Sequence, residues 1–183
     1  MKSRPTLQTH RLCLRPLTLE DAPRVQQLAS DKDIARTTLT IPHPYPDGAA
    51  AQWIGTHQER FEKDELVNFA IARKDDGALL GVISLKLDLA QANAELGYWI
   101  GKPFWNHGYT TEAAKAVLAY GFKELKLHRI YAHYMAHNPA SGRVMEKIGM
   151  TYEGRLRGHI LKWGTFYDVV AYSILADEFQ ANR

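Results

Sequence analysis

Cysteine is nearly absent: Cys13 stands alone in 183 residues, so no internal disulfide can form and no paired-cysteine metal motif exists. A lone thiol in an alternating stretch, with no activating base evident, reads as a strand residue in a reducing compartment rather than as a nucleophile. No run approaches the ~18 apolar residues of a membrane helix. The opening residues, Met1 to Thr6, are polar and lack the apolar core of a secretory signal. A cytoplasmic protein without membrane association is expected. Also missing are any Lys/Arg run, zinc-finger spacing, aromatic RNA-binding motif, P-loop lysine pattern or nucleophile-elbow serine, so direct nucleic-acid binding is not expected. Of the eight histidines, His133 and His137 are spaced suggestively. Their segment alternates as a strand, however, which sets them roughly 13 Å apart. Zinc ligands must lie about 2 Å from one ion, and no metal is expected.

What is present is ordinary globular composition, 45% hydrophobic and 23% charged, in a length suited to one domain spanning 1–183, with its core over about 9–175. Charge is uneven: residues 101–183 hold 11 Lys/Arg and 7 Asp/Glu, whereas residues 1–100 hold 12 and 13. A modestly positive second half suits an anionic ligand.

Arg11 to Arg15 alternates as a strand stopped by Pro16, and Thr18 caps a helix, with Asp21 three residues on, running to about Ser30. Pro42, Pro44 and Pro46 make the segment after Thr37 a loop or lid. Asp47 is expected to cap one helix from Gly48 to Lys63. Leu66–Arg73 and Leu79–Leu87 read as strands, with Asp75, Asp76 and Gly77 supplying the positive-φ residues of a hairpin turn. Leu96, Tyr98 and Ile100 alternate with Glu95, Gly97 and Trp99 in a further strand. A helix follows, with Ala113, Val117, Tyr120 and Gly121 on one face and Leu118 and Phe122 flanking. Lys126–Tyr134 is another strand, and Thr151–Arg157 with Tyr167–Leu175 a terminal hairpin. The expected class is α/β, with a mixed sheet that is antiparallel at first and parallel where the long helix crosses over.

The stretch from Gly101 to Ala113 leads from an apolar strand through a glycine-bearing turn into that helix. A helix start offers unpaired N–H groups and partial positive charge, so this is an anion site suited to a pyrophosphate, and Gly108 lets the backbone approach unobstructed. The alternative is a plain strand-to-helix turn.

This succession resembles the GNAT superfamily of acyl-CoA-dependent N-acyltransferases, and within it the Rim-type group that includes acetyltransferases of ribosomal-protein N-termini. The resemblance runs through Thr9–Pro16, Leu19–Ala22, the Glu95 strand, the glycine loop, Asn138–Ser141 and Glu146–Met150, nearly the whole chain. It implies the GNAT fold: a mixed central sheet with two splayed strands, helices on both faces, and a pantetheine arm bonded to the exposed strand edge, which Trp99 and Ile100 would occupy. Trp105 and Thr110 depart from the superfamily's general loop pattern, although Trp105 suits the Rim-type group. Met145 stands where many members carry a tyrosine that protonates the departing thiolate, and a thioether cannot donate a proton.

By this reading acetyl-CoA is the acyl donor, and a primary amine, on a protein N-terminus or a small molecule, is the acceptor, by direct transfer in a ternary complex. The protein would be a monomer or homodimer. An ammonium has no lone pair, so a base is needed. Glu95 is the candidate, its pKa raised by an apolar strand; otherwise it is a strand-edge glutamate paired with an arginine or facing solvent. Ser141 is the candidate donor to the thiolate, or else a first-turn serine. The amide of Gly97, Tyr98 or Trp99 would meet the oxyanion. Asn106, His107, Gly108, Tyr109, Thr110 and Thr111 would hold the pyrophosphate and Asn138 the pantetheine, while Arg143 and Lys147 either reach a ribose phosphate or face solvent. His43, Tyr45, Trp53 and Trp163, with His159 and Tyr167, are candidate acceptor walls. A non-catalytic acyl-CoA sensor is the alternative, drawing support from Met145, and an RNA- or ribosome-associated binding protein is a third reading.

Overall fold

The computed structural model describes residues 2–181. In chain order these form β1 (Leu7–Gln8), β2 (Leu12–Arg15), α1 (Ala22–Ala29), α2 (Lys32–Thr37), α3 (Ala49–Gly55), α4 (His57–Glu62), β3 (Leu66–Arg73), β4 (Leu79–Asp88), β5 (Asn93–Ile100), α5 (Tyr109–Lys123), β6 (Arg129–Met135), α6 (Pro139–Lys147), β7 (Thr151–Lys162), β8 (Thr165–Leu175) and α7 (Ala176–Ala181). All eight strands share one sheet, ordered β1-β2-β3-β4-β5-β6-β8-β7. Every pairing is antiparallel except β5 with β6, where α5 makes the crossover that parallel neighbours require.

Alternation along the strands sends two sets of side chains to two faces. Phe69, Ile83, Leu85 and Leu96 pack with Ala113, Ala114, Val117 and Leu118 of α5. Ala70 and Val82 pack on the other side with Val25 and Leu28 of α1 and Ala50 and Ile54 of α3. Helices therefore cover both faces. On α5 the buried stripe includes Ala114, Leu118 and Phe122, and Tyr120 sits half-buried at its margin, edge-on to Phe69.

Thr18 N–H donates to the Asp21 carboxylate at 2.9 Å, as the capping pattern predicts, although the first turn is 3-10 and the α-helix starts at Ala22. The helix expected over Gly48–Lys63 is two helices. Thr56 Oγ1 donates back to the Trp53 carbonyl at 2.7 Å, a bond that competes with the helical ladder, and the axis breaks there. Gly48, not Asp47, occupies the capping position. In the β3–β4 turn only Gly77 is left-handed, and Arg73 with Ala78 closes a four-residue loop. The terminal hairpin is longer than the alternation suggests. A register shift between Leu156 and Ile160 interrupts the period, after which β7 continues to Lys162 and turns through Trp163 and Gly164. Both turn residues have positive φ, 50° and 76°, the two-residue geometry that matches strand twist. Short β1, α2 and α7 carry no strong periodic signal and go unread from sequence. No helix among the described residues is long and apolar enough to cross a membrane.

Candidate active site

Strand β5 stays paired with β4 as far as Ile100, but its parallel pairing with β6 covers only Asn93 to Glu95, opposite Arg129 to Tyr131. Beyond Glu95 the two strands part. A cavity of about 1070 Å³ runs through the opening, reaching the α5–α6 side and the α1–α3 side of the sheet. Gly101 N–H donates to Leu80 of β4, whereas the Ile100 carbonyl accepts from the Trp105 indole at 2.8 Å. Alternation then turns the Gly97 and Trp99 amides toward β4, and those of Leu96, Tyr98 and Ile100 toward the opening. Of the three amides considered for the oxyanion, only that of Tyr98 faces the opening. Trp99 gives its backbone to β4 and its side chain to the α1–α3 core.

The glycine loop ends with Gly108 at φ 78° as the residue before α5, and no side chain caps the helix. The first intrahelical bond is Glu112 N–H to the Gly108 carbonyl, so the amides from Gly108 to Thr111 have no helical acceptor. A Cβ on Gly108 would meet only the Arg11 guanidinium, at 3.5 Å. Its backbone is left-handed, a conformation that glycine adopts without strain. Glu112 anchors the loop: it accepts from Thr9 Oγ1 at 2.6 Å, Arg11 N–H at 2.8 Å and Arg11 Nε at 2.7 Å, while Arg11 also reaches the His107 carbonyl at 3.0 Å. Asn106, Gly108, Tyr109, Thr110 and Thr111 line the cavity, as do Arg143 and Lys147. His107 does not. It is exposed, bonded through Nδ1 to the Trp105 carbonyl at 2.7 Å and stacked on Tyr109.

On the α1–α3 side, Glu95 Oε1 lies 3.2 Å from His133 Nδ1. The expected rise in its pKa does not occur. The His133 contact lowers it, burial works against that, and Lys86 adds to the lowering, so the carboxyl titrates below its ordinary range. A carboxylate is acceptor-only, hence Nδ1 carries the hydrogen in this contact. The partner is a histidine rather than an arginine.

Across the opening, Tyr98 hydroxyl and Ser141 Oγ lie 2.9 Å apart, with Ser141 at the first turn of α6. Burial pushes the Tyr98 hydroxyl well above its ordinary pKa, keeping it protonated. Met145, 1% exposed, belongs to the core. Sequence reading considered Tyr98 only for its amide, and nothing in it pointed to this hydroxyl contact with Ser141. Helix α6 approaches β6 closely because Gly142 faces Tyr134, whose ring a Cβ would meet at 2.8 Å. Asn138 lines the cavity, its amide 3.5 Å from the Thr37 carbonyl.

Of the expected acceptor walls, Tyr45 and Trp53 line the cavity; His43 and Trp163 do not. Those two pack edge-on to each other at 6.5 Å, and Trp163 forms the exposed hairpin tip. Their residue types suit a wall, but the long hairpin carries Trp163 past it, and His43, in the segment between α2 and α3, packs against that tip instead. Tyr167 borders a separate small pocket and His159 is exposed on β7. Among the described residues no group of three or more His, Cys, Asp or Glu is placed to hold a metal.

A sheet opened between two parallel strands, with a bare helix start on one side and a carboxylate–imidazole pair on the other, is the arrangement of an acyl-group transferase. Residues 11–151 match the acetyltransferase (GNAT) domain, and the chain belongs to that family. It is 34% identical to the uncharacterized N-acetyltransferase YoaA of Bacillus subtilis over 173 residues, 93% of this chain and 97% of that protein. It is 27% identical to the ribosomal protein uS5-alanine N-acetyltransferase of Escherichia coli over 144 residues, 77% of this chain and 73% of that one. RimL, the ribosomal L7/L12 alpha-N-protein acetyltransferase solved with coenzyme A, has the same fold at TM-score 0.87 and 17% identity, covering 95% of this chain and 99% of that one. The family uses acetyl-CoA.

Proposed function

We propose that this chain transfers the acetyl group of acetyl-CoA to a primary amine by direct attack in a ternary complex. The observation that carries the reading is the placement of two proton-handling pairs, Glu95–His133 and Tyr98–Ser141, on opposite sides of one strand opening within one cavity. The bare amides at Gly108–Thr111 suit the pyrophosphate, and the unpaired edge of β5 suits the pantetheine amides.

In this reading the amine approaches from the α1–α3 side and loses its proton to His133 Nε2, with Glu95 orienting the ring and balancing its charge, or to Glu95 itself through a water. The amine nitrogen bonds to the thioester carbon, whose oxygen takes up negative charge facing the Tyr98 amide. The carbon–sulfur bond then breaks, and the nitrogen, which still holds one proton more than the amide, releases it to water, as the base releases the first. The thiolate receives a proton from the Tyr98–Ser141 hydroxyl pair, which recovers one from solvent. Because the Glu95 pKa is lowered, its carboxylate is charged throughout the neutral range. The uS5-alanine enzyme and RimL, by their names, act on protein N-termini, which supports such an amine as one acceptor class.

Glu95→Gln should cut amide formation by about 10²–10⁴, the usual worth of a positioned base, with acetyl-CoA affinity retained. Thiol release at saturating acetyl-CoA checks this, and equal wild-type and variant rates at every pH would remove Glu95 from the mechanism. Retained coenzyme A affinity without amide formation across a broad amine and peptide panel would instead favour a binding module.

A further inference from the structure

The acceptor half of the cavity is unbalanced in charge. Glu95 is the one carboxylate among its lining side chains, against Arg36, Arg60, Lys86, Arg143 and Lys147. Arg143 and Lys147 belong to α6, on the side read for the donor, which leaves three cations beside the acceptor path. Two of these have carboxylate partners: Arg36 lies 3.3 Å from Asp33, and Arg60 meets Glu65 through Nε at 3.3 Å. Lys86 has no hydrogen-bond or ion-pair partner among the described residues. It stands directly across from Glu95 in the β4–β5 register, where side chains are neighbours with Cβ atoms about 5 Å apart. Glu95 has nonetheless turned to His133. Asn68 and Ser84, opposite each other in the β3–β4 register, continue the same face and also line the cavity, and Asn68 is buried there. The floor beside the reacting amine is therefore polar and cationic.

Resting on the reading above, we infer that the acceptor carries an anionic group, most simply a carboxylate, a few ångströms from its amine: the amine meets Glu95–His133 and the anion meets Lys86, with Arg60 beyond it. A polyamine fits this floor poorly. Once one nitrogen has reached Glu95, its remaining positive charges face the exposed Lys86, which has no salt-bridge partner among the described residues, and beyond it Arg60, whose partner Glu65 lies outside the cavity lining, and like charges so placed repel. An α-amino acid and a peptide whose N-terminal residue is acidic share the required chemistry.

The test compares thiol release with L-glutamate, a tetrapeptide beginning with Asp, the same peptide beginning with Asn, and spermidine, on wild type, Lys86→Arg and Lys86→Glu. Wild type should prefer an anionic acceptor over its neutral counterpart by about 10-fold or more in kcat/KM. Lys86→Glu should raise the KM for that acceptor about 10- to 100-fold and improve spermidine, and Lys86→Arg should retain the preference. Whether glutamate or the Asp peptide responds separates the two sources of carboxylate. Preference for spermidine or the neutral peptide, unchanged by Lys86→Glu, overturns the inference and leaves acetyl transfer standing. If no amine is acetylated, calorimetric titration of the same compounds into the coenzyme A complex still decides. Binding of an anionic amine that Lys86→Glu abolishes upholds the charge assignment while the transferase reading fails, and absence of such binding at millimolar concentration overturns it.

Discussion

His57 is 2% exposed, and neither ring nitrogen has a hydrogen-bond partner. The ring lies edge-on to Trp53 at 4.4 Å, and burial, with Arg4 and Arg60 nearby, holds its pKa down to about 4. In the unfolded chain the same group titrates near 6.5. Between these values the unfolded chain takes up a proton that the folded chain refuses. The His57 contribution to stability is therefore full above pH 6.5, falls as pH drops toward 4, and is gone below it. A shift of this size corresponds to a loss of about 3 kcal/mol. His57→Phe, which keeps an aromatic ring against Trp53, should remove that slope. Urea unfolding at pH 4 to 7 should show the variant gaining on wild type as pH falls, and parallel curves would refute the assignment. Single residues were unevenly legible. Glu95 could be picked out because one charge interrupts an apolar strand, but its pKa direction depended on His133, which is 38 positions away and becomes a neighbour only through parallel pairing. Tyr98 was read as one more alternating apolar residue, since nothing local announces that its hydroxyl ends beside Ser141.

Strands β3 and β4 were legible as apolar runs bounded by turn residues, and β5 by its alternation, whereas Thr56 divides a helix and the register shift near Gly158 hides the second half of β7. Gly81 gives no such local signal, yet its place in β4 is tightly constrained. A Cβ there would lie 2.3 Å from the Trp99 carbonyl oxygen and 2.7 Å from Ile100 Cα, both backbone atoms of β5. No rotamer change can relieve that contact, so Gly81→Ala must push the end of β5 away from β4, and β5 is the strand whose free edge is read as the donor's docking edge. Gly81→Ala should cost about 2–3 kcal/mol and raise the KM for acetyl-CoA more than that for the acceptor. Gly121→Ala, which meets only side-chain tips, Ile130 Cδ1 at 2.6 Å with Leu127 Cδ1 at 3.3 Å and Leu85 Cδ1 at 3.4 Å, is the control: it should destabilise to a smaller extent without that split. Thermal melts and the two KM values check both outcomes.

At the scale of the whole molecule, the opening between β5 and β6 was expected from resemblance alone, because strand parting is a property of long-range pairing that no single segment encodes. The same holds for what closes the acceptor side. Lys162, just before the hairpin turn, is 8% exposed and has no carboxylate partner. Its ammonium donates instead to the carbonyls of Ala35, of Thr38 at 2.6 Å and of Ile41 at 3.2 Å. These carbonyls lie at the end of α2 and in the segment after it, and Thr38 to Pro42 line the cavity. One cation from the far end of the chain thus holds the segment that follows α2 against the cavity, and burial lowers its pKa because no anion compensates. Charge-assisted hydrogen bonds are worth about 1.5–3 kcal/mol each at most, and carbonyls released toward solvent recover part of that. Lys162→Met, which keeps the stem and removes the donors, should therefore destabilise by about 2 kcal/mol. It should also speed proteolytic cleavage between Thr38 and Pro46 and raise the acceptor KM, with acetyl-CoA affinity little changed because the glycine loop is anchored separately through Arg11 and Glu112. Cleavage at the wild-type rate with an unaltered acceptor KM would mean that the segment is held by its own packing, and that Lys162 merely occupies the space beneath it.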